Sequence, residues 1–170
     1  MDGHSAEFAQ HIPRLRRYAR ALTGDRSRAD DLVQDTLERA LVKFHLWRQG
    51  TDLRAWLFTI MHNVYVNQVR ANASAAVSAL DDEATQFGIR ATQSDRLEVL
   101  DLEAALARLP QEQREVLLLV GLEQMTYEES AGVLNVPIGT VMSRLSRGRE
   151  KLRALLRGDA PASSGLKVVK

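Results

Sequence analysis

Apolar positions recur along this chain at helical spacing and nowhere alternate as they would in a half-buried strand. Leu32, Val33, Thr36, Leu37 and Ala40 gather on one arc of a helix predicted from about Ser27 to Phe44, and Asp31, Gln34, Asp35 and Glu38 take the opposite arc. Ahead of it, Ile12 to Leu22 predicts a helix with a basic face from Arg14, Arg16, Arg17 and Arg20, broken at Gly24-Asp25. Thr51 and Asp52 offer capping oxygens to a third helix, Leu53 to about Arg70. That helix is apolar almost all round, apart from an arc of Thr59, Asn63, Val66 and Arg70, so it should form the core of its unit.

From residue 72 the period is lost, and Ala, Ser, Asp and Gln dominate up to residue 95. It returns at Leu97 to Leu109, a helix stopped by Pro110. Glu112 to Leu122 follows, apolar along Val116, Leu117, Leu119 and Val120. Thr126, with Glu129 three residues on, reads as the capping box of a short helix. Asn135-Val136-Pro137 reads as a turn, and a last helix runs from Ile138 to about Arg157. The expected fold is therefore all-α. It comprises a first helical domain over 1–71, a flexible acidic linker over 72–95, a second domain over 96–157 that contains a helix-turn-helix, and a disordered tail over 158–170.

Composition narrows the function. With 170 residues, two such domains are each near the size at which a core becomes marginal, so they must be compact or depend on partners. There is no cysteine, which removes disulfides and thiolate metal sites. His4, Glu7 and Gln10 stand where a secretory leader would need an apolar run, and the longest apolar run is far too short to span a membrane. A cytoplasmic protein is expected. His4, His11, His45 and His62 form no ligand-like cluster, and neither a Gly-rich phosphate loop nor a nucleophile motif is present. No enzymatic activity, metal or cofactor is expected.

The net charge of +1 hides an uneven distribution. Residues 96–130 carry three basic and eight acidic residues, whereas 131–157 carry six basic residues and Glu150 alone. A concentrated basic helix in a nearly neutral chain points to a polyanion. On that last helix Val141, Leu145, Gly148 and Leu152 share one narrow arc, which must face the core. The opposite arc holds Ser143, Ser146 and Arg147, with Arg144 and Lys151 beside it. Hydroxyls and guanidinium groups are the types that grip phosphates and base edges. Thr140, in the first turn, can meet a phosphate where helix N–H groups are free.

The run TYEESAGVLNVPIGTVMSRLSRGR, Thr126 to Arg149, resembles the promoter-reading C-terminal domain of extracytoplasmic-function sigma factors. Leu109-Pro110 and Gln113-Arg114-Glu115-Val116 match the segment before it. The resemblance implies that Met142, Ser143, Ser146 and Arg147 face the upstream (−35) element. Met142 stands where the family commonly has a basic residue, Ser130 where an aliphatic is usual, and Gly148 where Ala is usual. Ala29 to Leu37 resembles the family's polymerase-docking helix, which implies that Asp31, Gln34, Asp35 and Glu38 meet core RNA polymerase. Leu53 to Asn63 resembles the segment that opens and reads the downstream (−10) element, with Asn67 where Asp is frequent. The resemblance implies that Asn63 holds a flipped-out base, a task suited to an amide that both donates and accepts; Phe58 and Arg70 join it as candidates. An anti-sigma partner is implied as well. The alternative left open by the residues is a stand-alone helix-turn-helix regulator that binds DNA as a dimer.

Overall fold

The computed structural model describes residues 2–78 and 94–158, and these contain seven α-helices and no strand. The helices are α1 (Asp2–Thr23), α2 (Arg26–Lys43), α3 (Leu53–Ser78), α4 (Ser94–Ala107), α5 (Gln111–Leu117), α6 (Tyr127–Leu134) and α7 (Ile138–Leu156). A 3-10 turn, Phe44–Leu46, follows α2, and a π-helical turn, Leu118–Leu122, follows α5. The all-α expectation holds.

Three boundaries differ from the sequence pattern, each for a physical reason. Helix α1 begins ten residues before Ile12 and carries Pro13 inside it. Phe8 is buried on its upstream part and packs edge-on to Phe44, 5.2 Å between ring centres, which gives that stretch an apolar anchor. Helix α3 continues through 72–78, a stretch assigned above to the linker, because its Ala-rich composition favours helix without any apolar period. The remainder of the expected linker, 79–93, and the expected tail from 159 onward lie outside the described residues. The stretch expected as one helix, Glu112 to Leu122, widens into the π turn at Leu118. This shift lets both Leu118 and Leu119 enter the core and brings Glu123 inward after them.

Asp25 caps α2, its side chain accepting from the Ser27 amide. Leu15, Tyr18 and Leu22 of α1, Leu32 and Thr36 of α2, and Leu57, Phe58 and Met61 of α3 are buried together. The Thr36 hydroxyl donates to the Leu32 carbonyl at 2.7 Å, so a polar residue enters this core without an unmet hydrogen bond. Val116, Leu119, Val133, Leu134, Val141 and Leu145 continue the same buried cluster into the second half of the chain.

Polar groups cross between the halves along one seam. Nδ1 of His62 on α3 donates to Oε1 of Glu115 on α5 at 2.7 Å. Arg17 of α1 reaches Oε1 of Glu123 at 3.3 Å. Arg54 of α3 donates to the Glu123 carbonyl at 3.1 Å and lies 3.5 Å from Oε2 of Glu129 on α6. Arg114 of α5 donates to four carbonyls: Leu106 and Ala107 in the last turn of α4, Leu109 just beyond it, and Leu22 near the end of α1. Helix C-termini leave carbonyls without partners, and one guanidinium here meets those of two helices.

Tyr18 lies wholly within this core, in edge contact with Phe58 at 5.1 Å. Burial raises its phenol well above the ordinary tyrosine range, and the nearby Glu115 carboxylate pushes the same way. Burial also raises Tyr65, against the pull of Arg114. A group held neutral in the fold contributes stability that is intact below the unfolded pKa of about 10 and is lost as pH rises past it. The urea midpoint should therefore fall above about pH 10, and Tyr18→Phe should flatten that fall. Equal slopes for the two proteins in circular-dichroism unfolding series would count against Tyr18 as a cause.

Candidate functional site

The second half builds its exposed face on a rigid frame. Thr126 and Glu129 form the expected capping box: the Glu129 amide donates to the Thr126 hydroxyl at 3.1 Å, and the Thr126 amide donates to the Glu129 carboxylate at 3.0 Å. Asn135 ends α6 in the left-handed conformation, φ +53°, a region Asn tolerates better than most residues. Pro137 then precedes the first turn of α7. The result is a helix-turn-helix, α6 to α7.

Val141, Leu145 and Gly148 are buried on α7, as the arc analysis expects. Gly148 is there for space. A Cβ on it would lie 3.1 Å from Leu117 Cδ1 and 3.3 Å from Gln113 Cβ, tighter than almost all real contacts. Opposite, Ser143, Ser146, Arg147 and Lys151 are exposed, Met142 is largely so, and Thr140 is half-buried. The Ser143 hydroxyl is parked on the Thr140 carbonyl at 3.2 Å and is free to rotate to another acceptor. Arg144, expected in the upstream-reading set, is only partly exposed. It turns toward α5, with one guanidinium nitrogen 3.8 Å from Glu112 and its side chain a quarter exposed. Its helical phase places it beside the neighbouring helix rather than outward.

Two cations and one ring were missed on this face. Tyr127, Arg149 and Arg153 border a shallow cavity of about 300 Å³ together with Met142, Leu145 and Ser146. The signal was present in the i, i+4 spacing of Arg149 and Arg153, but Tyr127 is brought there by the turn.

On α3, Asn63 and Arg70 are exposed on one arc, with Thr59 and Val66 half-buried between them. Phe58 is corrected: it is 1% exposed and in edge contact with Tyr18, so its ring belongs to the core and is not presented at the surface. On α2, Asp31, Gln34 and Glu38 are exposed, and Gln34 donates to Glu38 at 3.3 Å. Asp35 is half-buried and accepts from Gln68 of α3 at 2.9 Å, so it also braces two helices. Exposed Leu41 and Val42 continue the same stripe, an apolar end that sequence reading did not single out. The faces on α2, α3 and α7 are separate surfaces, and the seam was not foreseen. Its residues are 50 to 110 positions apart, beyond the reach of any local pattern. No described helix is long and apolar enough to cross a membrane.

Two family models match. Residues 8–62 match the Sigma2 domain of PhyR, and residues 100–152 match Sigma-70, region 4. The ECF RNA polymerase sigma factor EcfG of Rhodopseudomonas palustris is 40% identical over 154 residues, covering 91% of this chain and 85% of its relative. SigM of Bacillus subtilis, also an ECF RNA polymerase sigma factor, is 30% identical over 87% of this chain and 91% of its own. Among solved structures, the sigma factor RpoE of Bartonella quintana, in complex with the anti-sigma factor NepR, superposes with a TM-score of 0.83 and 34% identity over 94% of this chain and all of that one. CnrH, solved with the cytosolic domain of CnrY, gives a TM-score of 0.67 at 29% identity, covering 92% of this chain and 88% of its own. The helix-turn-helix, the acidic stripe of α2 and these matches over nearly the whole length agree, and the chain belongs to the extracytoplasmic-function RNA polymerase sigma factors.

Proposed function

We propose that this sigma factor divides its work among three faces, acts in the cytoplasm and catalyses no reaction itself. The stripe of Asp31, Gln34 and Glu38, edged by Asp35, docks on a basic surface of core RNA polymerase. The arc of Asn63 and Arg70 holds unstacked bases of the −10 element. Ser143, Ser146, Arg147 and Lys151, with Met142 and Thr140 at the margin, read the −35 duplex. The observation that carries the reading is α7: four exposed hydroxyl or cationic residues stand opposite a buried stripe on the second helix of a helix-turn-helix. Strand opening is offset by capture of unstacked bases and by polymerase binding, with no nucleotide hydrolysis by this chain. RpoE was solved with an anti-sigma factor, and a regulator of that class is the expected inhibitor here.

Run-off transcription with purified core polymerase on a promoter library tests the reading. Initiation at a defined subset of promoters is expected, and no initiation anywhere would overturn it. Asp31→Lys combined with Glu38→Lys should weaken core binding at least several-fold with helicity unchanged. Exposed charge pairs contribute only about 0.2–1 kcal/mol each, so both changes are needed. Unchanged core affinity in a pull-down titration would remove α2 from the docking surface.

A further inference from the structure

Helix α7 presents two large apolar side chains to solvent at its start. Ile138, its first residue, is 41% exposed, and Met142, one turn on, is 48% exposed. Single exposed apolar residues are ordinary and call for no explanation. This pair differs in its setting. Residues four apart share a helix face, and the same face continues through exposed Ser146 to exposed Arg149 and Arg153. At roughly 100° per residue it lies about a quarter turn from the buried arc of Val141, Leu145 and Gly148. Met142, Ser146, Arg149 and Arg153 border one shallow cavity of about 300 Å³, together with Leu145 and with Tyr127 of α6.

The stripe divides by chemistry along its length. The second helix of a helix-turn-helix enters the major groove with its first residues at the base edges. Ile138 and Met142 are then at base depth. Arg149 and Arg153 follow Met142 by about two and three turns. They stand at the level of the backbone, where a guanidinium meets phosphate. A phosphate gains nothing from a thioether or an alkyl chain and loses water to it. Base edges in the major groove carry donors, acceptors and one apolar group, the 5-methyl of thymine. A methionine side chain is unbranched, with three rotatable bonds and a polarisable sulfur, so its end can settle on that methyl. Ile138 extends the apolar surface by one turn.

We propose that Met142, with Ile138 behind it, reads the 5-methyl group of a thymine in the −35 element, in a register held by Arg149 and Arg153 on the neighbouring phosphates. This assignment rests on the function proposed above, since it names the base chemistry read by the same helix.

The test uses holoenzyme assembled from core polymerase and the full chain, bound to a synthetic promoter taken from the run-off selection. Each thymine of the −35 element, on either strand, is replaced in turn by deoxyuridine. The replacement removes the methyl and leaves every hydrogen-bonding edge unchanged. At one position it should weaken holoenzyme binding about fourfold, the effect of one buried methyl group. Met142→Gln keeps the length and helix propensity of the side chain, and its site is exposed, so the fold is preserved. With that variant, thymine and deoxyuridine should bind equally at the position, while discrimination at the base pair assigned to Arg147 is retained. Arg149→Gln with Arg153→Gln should weaken both promoters alike and lower the slope of log affinity against log salt by about two. If no deoxyuridine replacement changes affinity, or if the loss persists undiminished in Met142→Gln, the methyl-reading role is overturned and the proposed function stands. An unchanged salt slope in the double variant overturns the phosphate register. If the holoenzyme binds no promoter at all, the function itself fails and this assignment fails with it.

Discussion

Arg114→Ala is expected to destabilise the fold more than any other single change considered, by about 3–5 kcal/mol. The guanidinium meets four carbonyls drawn from the ends of α4 and α1, at 2.8 to 3.0 Å. Hydrogen bonds from a charged donor contribute about 1.5–3 kcal/mol each, and acceptors left buried add a further penalty. The four do not add in full, because water reaches some of the vacated carbonyls. For a chain of this length the loss corresponds to a fall in Tm of about 10 °C. Arg114→Lys should recover little, since one ammonium cannot fork to carbonyls on several sides. A thermal melt of Arg114→Ala within 2 °C or so of the unmodified protein, a shift below about 1 kcal/mol, would show that the carbonyls find other partners.

The second large effect separates the two reading faces. Arg147 is exposed on α7, opposite Val141, Leu145 and Gly148. Asn63 is exposed on α3, on the arc it shares with Arg70. A guanidinium that grips a base edge gives about 1–3 kcal/mol of discrimination, roughly 5-fold to 150-fold. Arg147→Ala should lose that discrimination at one upstream base pair and leave opening of a premelted promoter unaffected. Asn63→Ala should do the reverse, relaxing preference at one downstream base while upstream duplex binding survives. The losses should add, because the residues share no partner. Initiation from promoters randomised at each element, measured for each mutant, decides the matter. An Arg147→Ala effect confined to downstream preference, or an Asn63→Ala effect confined to upstream preference, would invert the assignment.

The helices were legible because their signals are local. The Thr126–Glu129 capping box, the stop at Pro110 and the buried arc of Val141, Leu145 and Gly148 each follow from residues within one or two turns. Gly148 shows a finer success: a glycine in a helix interior costs stability unless something crowds it, and Leu117 and Gln113 do. The errors share a cause. Phe58 is assigned to DNA by residue type and resemblance, but the core claims its ring beside Tyr18 of α1. Asp35 was read as surface charge and is half-buried against Gln68. Which neighbour a flank meets is decided by packing between helices far apart in sequence, which no local period announces.

The seam also constrains how such a gene can be shuffled. Its two sides are encoded on either side of the interval from codon 62 to codon 115. A crossover within that interval would join this first half to a relative's second half, so each acid would meet a base from a different chain. Each helix could still form and each recognition face would be intact. Where the relative lacks the matching base or acid, the hybrid would bury Glu115 or Glu123, or their counterpart, without its cation, and fold poorly. A swap of surface residues between members of this family is therefore best made with Arg17, Arg54, His62, Glu115, Glu123 and Glu129 inherited together.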